Sequence, residues 1–86
     1  MLSRNITAAD SDHLRRVKEQ PCSVCDAPGP SEAHHTKQGN HRTVIALCKD
    51  CHTGSRNGWH GQRLMWKLKK MDENDALNVT LRRLGA

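Results

Sequence analysis

With 86 residues, 35% of them apolar, no Phe, no Tyr and two Trp, this chain has too little hydrophobic mass for an unaided core. A domain of this size buries only ~60% of the surface its unfolded chain exposes. No stretch approaches the ~20 apolar residues of a membrane span, and there is no repeat or low-complexity tract. The formal charge of +5 is compatible with a polyanionic partner and equally with solvated helix faces; its excess lies in the tail, in Arg63, Lys67, Lys69, Lys70, Arg82 and Arg83.

Met1-Leu-Ser-Arg-Asn-Ile carries a charge at Arg4 and no apolar signal region, so a reducing, cytoplasmic setting is expected and disulfides are not. Thr7-Ala-Ala-Asp10 reads as a capping box opening a helix through about Glu19, with Leu14 and Val17 on its buried side and Pro21 ending it. Cys22-Ser-Val-Cys25 follows at once, then a turn-rich segment over 26–32. Ala33 to Thr36 reads as extended, Lys37 to Asn40 as a turn and Thr43 to Cys48 as a β-branched strand, together a hairpin. Cys48-Lys-Asp-Cys51 repeats the first motif, and a helix is expected from His52 to about Asn57. Leu64, Met65 and Leu68 mark an amphipathic helix over roughly 62–70, and Asp72-Glu-Asn-Asp75 starts another that carries Leu77, Leu81 and Leu84 as packing residues.

The two C-x2-C pairs stand 22 residues apart. That spacing fits one tetrahedral Zn2+ held by Cys22, Cys25, Cys48 and Cys51, each pair turning two thiolates toward the ion. Structural zinc supplies folding free energy directly, ~10–16 kcal/mol in small zinc peptides, which would make up for the missing core.

Five of the six histidines, His34, His35, His41, His52 and His60, fall within a 27-residue window around the second pair. His13 lies apart and reads as a surface or hydrogen-bonded residue. His34 and His35, as neighbours on a strand, point to opposite faces, so one can ligate an ion while the other reaches toward water or substrate. His52 follows Cys51 and is fixed in place by the cysteine pair. Trp59 and Trp66 are the only aromatics, with Trp66 expected to pack against the zinc module. With no recognition helix, arginine-rich arm or stacking platform, sequence-specific nucleic-acid recognition is not expected. Arg42, Lys49, Arg56 and Arg63 are close in sequence to the histidines and are candidates for phosphate contacts that position without specifying.

The order Cys22-x2-Cys25, Ala33-His34-His35, then a strand ending Leu47-Cys48-x2-Cys51-His52 resembles the HNH (His-Me finger) endonucleases with a zinc-knuckled ββα-metal core. Within that superfamily, His41 to Cys48, Cys51-His52-Thr-Gly, Trp59-His60-Gly61 and Trp66 are similar to the phage-encoded, RecA-dependent nucleases of the recombination-enhancement (Ref) type. The resemblance implies a small α+β fold in one domain over 1–86, with an N-terminal helix in 1–20, the zinc-stabilised core in 21–61 and C-terminal helices in 62–86. It implies a metal-dependent DNA endonuclease with His34, His52 and His60 as ligands of one catalytic divalent ion and His35 as general base. Mg2+ is the expected ion, with Mn2+, Ni2+ or Zn2+ as alternatives. The superfamily's usual base-orienting Asn falls at Thr43, so His41, Asn40 or a backbone carbonyl is left to hold His35. A recombinase filament as partner and a phage origin are implied by the resemblance alone. The alternative is a zinc-stabilised DNA-binding or recombination accessory module without catalysis.

Overall fold

The computed structural model describes residues 6–85. The expectation of a missing signal region rests on 1–5, which lie outside the described residues, as does Ala86. The elements, in chain order, are α1 (Ala8–Lys18), β1 (Glu32–His35), β2 (Val44–Leu47), α2 (Lys49–Thr53), α3 (Leu64–Leu68) and α4 (Glu73–Arg83), a small α+β arrangement of four helices on a two-stranded antiparallel sheet. No helix among the described residues is long and apolar enough to cross a membrane.

Both long helices begin where side chains can satisfy the free amides of a first turn. Thr7 Oγ1 accepts from the Asp10 amide at 3.0 Å, and Asp72 Oδ1 accepts from the Asp75 amide at 2.9 Å, with the reciprocal bond closing the box. α2 starts earlier than its sequence suggested and ends earlier too, at Thr53. Cys48 is its N-cap, the sulfur accepting from the Cys51 amide at 3.3 Å, so the second cysteine pair is itself the helix start.

The hairpin pairs Glu32 with Leu47, Ala33 with Ala46, His34 with Ile45 and His35 with Val44. The period of two divides it into two faces. Ala33, Val44 and Ala46 pack with Val17 and Leu14 of α1 and with Leu84. Ile45 and Leu47 join Cys22, Val24, Cys51, Trp66 and Ala76. His34 therefore projects on the cysteine side and His35 on the α1 side.

α4 meets β2 through Ala76 and Thr80, which the leucine spacing did not indicate, while Leu77 and Leu84 pack against the core at its edges. Ala76 and Thr80 are fully buried, whereas Leu77, Leu81 and Leu84 are only half-buried. The Thr80 hydroxyl uses all its capacity: it donates to the Ala76 carbonyl at 3.1 Å and accepts from the Ala46 amide at 3.2 Å and the Ser23 hydroxyl at 2.7 Å. Only a short side chain permits that approach. α3 likewise departs from expectation: Leu64 is 41% and Leu68 74% exposed, while Trp66, at 1%, is the residue that turns inward. Its indole N–H donates to the Cys51 carbonyl at 2.9 Å, so Trp66 packs against the cysteine cluster.

Candidate metal centres

Two clusters of ligand-type side chains converge on the hairpin. In the first, Cys22, Cys25, Cys48 and Cys51 are unbridged and their sulfurs lie within 4.8 Å of one another. The Cys25–Cys48 sulfur separation of 3.7 Å agrees with the ~3.8 Å edge of a tetrahedron built from Zn–S bonds of ~2.3 Å. Without an ion, four thiolates are poor company here. Burial, with the charge of Cys22 beside it, pushes the Cys25 thiol up to about 11, and burial raises Cys51 further. At Cys22 burial acts the same way but is outweighed by amide donors, including Val24 N at 3.4 Å, which bring its thiol below the ordinary value. A divalent cation at the centre removes this conflict by holding all four as thiolates. Geometry and chemistry both fit a structural zinc.

In the second cluster, His34, His52 and His60 offer ligand nitrogens within 4.8 Å of one another, and their ring centroids form a near-equilateral triangle of 5.0, 5.2 and 5.3 Å. β1 supplies His34, buried at 5% exposure; α2 supplies His52, half-buried; and His60 is exposed. The eight-residue step from His52 to His60 is not spanned by a helix, since α2 ends at Thr53. The chain doubles back, with the Trp59 amide donating to the Cys51 carbonyl at 2.9 Å and the His60 amide to the His52 carbonyl at 3.2 Å. The reversal depends on glycine: a Cβ at Gly58 would stand 2.5 Å from the Gly54 carbonyl oxygen, closer than any side chain tolerates. The tight loop thus sets His60 opposite His52 across the chain.

Two carboxylates that the sequence reading did not single out complete this cluster. His34 Nε2 donates to Glu73 Oε2 at 2.6 Å, and His52 Nδ1 donates to Glu32 Oε1 at 2.7 Å. Burial holds the His34 imidazole below its ordinary pKa, with the Glu73 hydrogen bond pulling the other way, so the contact is a hydrogen bond of a neutral ring rather than an ion pair. Glu32 had a signal in the sequence, being two positions from His34 and so on the same strand face. Glu73 had none, since it lies 39 residues from His34 inside a run already explained as a helix cap.

His35 belongs to a neighbouring pair. Its Nε2 is 3.1 Å from His41 Nδ1, and burial, followed by the like charges of His41, His34 and Lys18, lowers its pKa. Of the candidates to hold it, only His41 touches it. Thr43, expected at the orienting position, is engaged in the turn: its hydroxyl lies on the Asn40 carbonyl at 3.5 Å and its carbonyl accepts from Thr36. Asn40 caps the Arg42 amide through Oδ1 at 2.9 Å.

The basic candidates are held differently. Arg42 pairs with Asp10 at 3.0 Å. Arg63 is fixed by its own left-handed backbone, by Nε donating to the Trp59 carbonyl at 2.6 Å and by the Trp59 ring, 3.6 Å below its guanidinium. Lys49 and Arg56 are exposed and enter no ion pair among the described residues. No protein-family model, curated protein or solved structure matches the chain.

Proposed function

We propose that the chain is a metal-dependent DNA endonuclease of the HNH type, built on a zinc-knuckled ββα-metal core. The observation that carries this reading is the conjunction, at one strand of the hairpin, of a three-imidazole cluster and an uncommitted His–His pair. When bound to His34, His52 and His60, a divalent ion, with Mg2+ as the physiological candidate, supplies Lewis acidity toward the scissile phosphate and its leaving oxygen.

The remaining chemistry falls to the chain. His35, neutral at physiological pH, takes the proton of the attacking water as its oxygen bonds to phosphorus and the P–O3′ bond breaks. For His35 Nδ1 to serve as the base, its Nε2 must carry the hydrogen and donate to His41 Nδ1. That assignment makes His41 the residue that orients the base and stabilises its protonated form, the task Thr43 and Asn40 are not placed to perform. Arg63, exposed and stacked on Trp59, and the exposed Lys49 and Arg56, which enter no ion pair among the described residues, are suited to flanking phosphates; Arg42 is available only by giving up Asp10.

The test is nicking of supercoiled plasmid and of circular single strands by the zinc-loaded protein with Mg2+ or Mn2+, beside His35→Ala, with and without a RecA filament. Metal-dependent cleavage lost in His35→Ala is the expected result. Silence under every condition, with DNA still bound, would instead favour an accessory DNA-binding module.

A further inference from the structure

We propose that Glu73 and Glu32 are positioning residues of the histidine cluster, selecting opposite tautomers on His34 and His52 so that each ring presents one bare nitrogen to a cation. This rests on the metal-binding reading of the cluster above.

The geometry behind it is specific. An imidazole nitrogen that donates to a carboxylate carries the ring's single proton, and the other nitrogen keeps its lone pair. Glu73 Oε2, at 2.6 Å, claims Nε2 of His34, and Glu32 Oε1, at 2.7 Å, claims Nδ1 of His52. The lone pairs are thereby left on Nδ1 of His34 and Nε2 of His52. Uncontrolled, the two rings have four tautomer combinations, and the carboxylates choose one.

The two glutamates also come from different parts of the chain, one from β1 and one from the first turn of α4. Glu73 thus makes the C-terminal helix part of the site: the capping box at Asp72 and the packing of Ala76 and Thr80 on β2 set where its carboxylate stands. A carboxylate on the far side of a ligating imidazole also raises its basicity, and loss of such a partner costs 10–100-fold in metal affinity in known sites. His60, exposed, is drawn into no such contact among the described residues, which makes it the more weakly defined corner of the triangle.

The test is Mn2+ binding to the full, zinc-loaded chain, read from the electron paramagnetic resonance of free Mn2+; this hard ion does not compete for four thiolates. For Glu73→Ala and Glu32→Ala, Mn2+ affinity should fall ~10–100-fold, with zinc content and the melting temperature in Mn2+-free buffer retained. Glu73→Gln, whose carbonyl still accepts from His34, should restore most of the affinity. Alanine variants that titrate like the wild type would overturn the proposal and leave the metal site standing. Glu73→Gln as weak as Glu73→Ala would overturn it by making Glu73 a direct ligand. A wild-type chain that takes up no Mn2+ would overturn the metal reading itself. Should Glu73→Ala lose its zinc, Glu73→Gln and Glu32→Ala decide alone.

Discussion

The cysteine and histidine clusters share the hairpin yet are built to opposite specifications. The four sulfurs sit among Val24, Ile45, Leu47 and Trp66 and are addressed by backbone amides at Cys22 and Cys48, with no carboxylate contacting them among the described residues. The histidines grade from buried His34 through half-buried His52 to exposed His60, with carboxylates behind the first two. A soft, closed, tetrahedral donor set suits an ion held as part of the core; a graded set of imidazoles with one exposed corner suits the exchangeable ion of the proposed function. The same fold can thus dedicate one site to folding and leave the other for chemistry.

Breaking the cysteine cluster should have the largest effect, because it removes both sites together. Cys22→Ser or Cys48→Ser, or exhaustive chelation of the wild type, should abolish the cooperative unfolding transition seen by circular dichroism, since the ion's ~10–16 kcal/mol is as large as the whole ~5–15 kcal/mol stability typical of a domain. The histidine cluster should separate from the fold. His34→Ala and His52→Ala should keep zinc and a cooperative transition while losing second-ion uptake in calorimetric titration; retained uptake would remove their assignment as ligands.

How far these sites could be read from the sequence depends on the range of the interaction. The Thr7 box, the stop at Pro21, the hairpin and the paired cysteines are local signals, and each appears where its residues indicate. On α4 the apolar spacing found Leu77 and Leu84, which pack half-buried against the core, but not Ala76 and Thr80, the fully buried residues that the tight packing on β2 selects. Leu64 and Leu68 misled for the same reason, the single Trp66 outweighing both by reaching the Cys51 carbonyl. The grouping of His34, His52 and His60 and the pairing of His35 with His41 match what the resemblance implied; what the sequence did not show is the reversal at Gly58 that brings His60 back to His52.

Within the histidine region, chemistry should separate from ion binding. His35→Ala should lower the nicking rate ~10²–10⁴-fold with Mn2+ affinity unchanged, whereas His41→Ala should lower it less and His41→Asn, which retains an amide partner for His35, should recover part of the loss. Equal rates in His35→Ala and wild type would show that the base lies elsewhere.

The smallest expected effect lies outside both clusters. His13 faces Arg42, Arg16 and Asp10; burial, then the two arginines, depress its pKa, and its Nε2 is buried without a partner among the described residues. Above its unfolded pKa of ~6.5 the ring is neutral in both states and adds no pH dependence. As pH falls below that value the unfolded chain takes the proton first, so stability declines. His13→Asn should make the stability of the zinc-loaded protein fall less steeply between about pH 6.5 and 5, read from urea midpoints.

The most direct test of two sites with two duties is to count ions by native mass spectrometry of the zinc-loaded chain equilibrated with Mn2+, beside His34→Ala and Cys48→Ser. One zinc and one manganese per chain are expected, with the manganese alone lost in His34→Ala and both lost in Cys48→Ser. A single ion in the wild type, or a second ion retained in His34→Ala, would contradict the division of labour between the cysteine and histidine clusters.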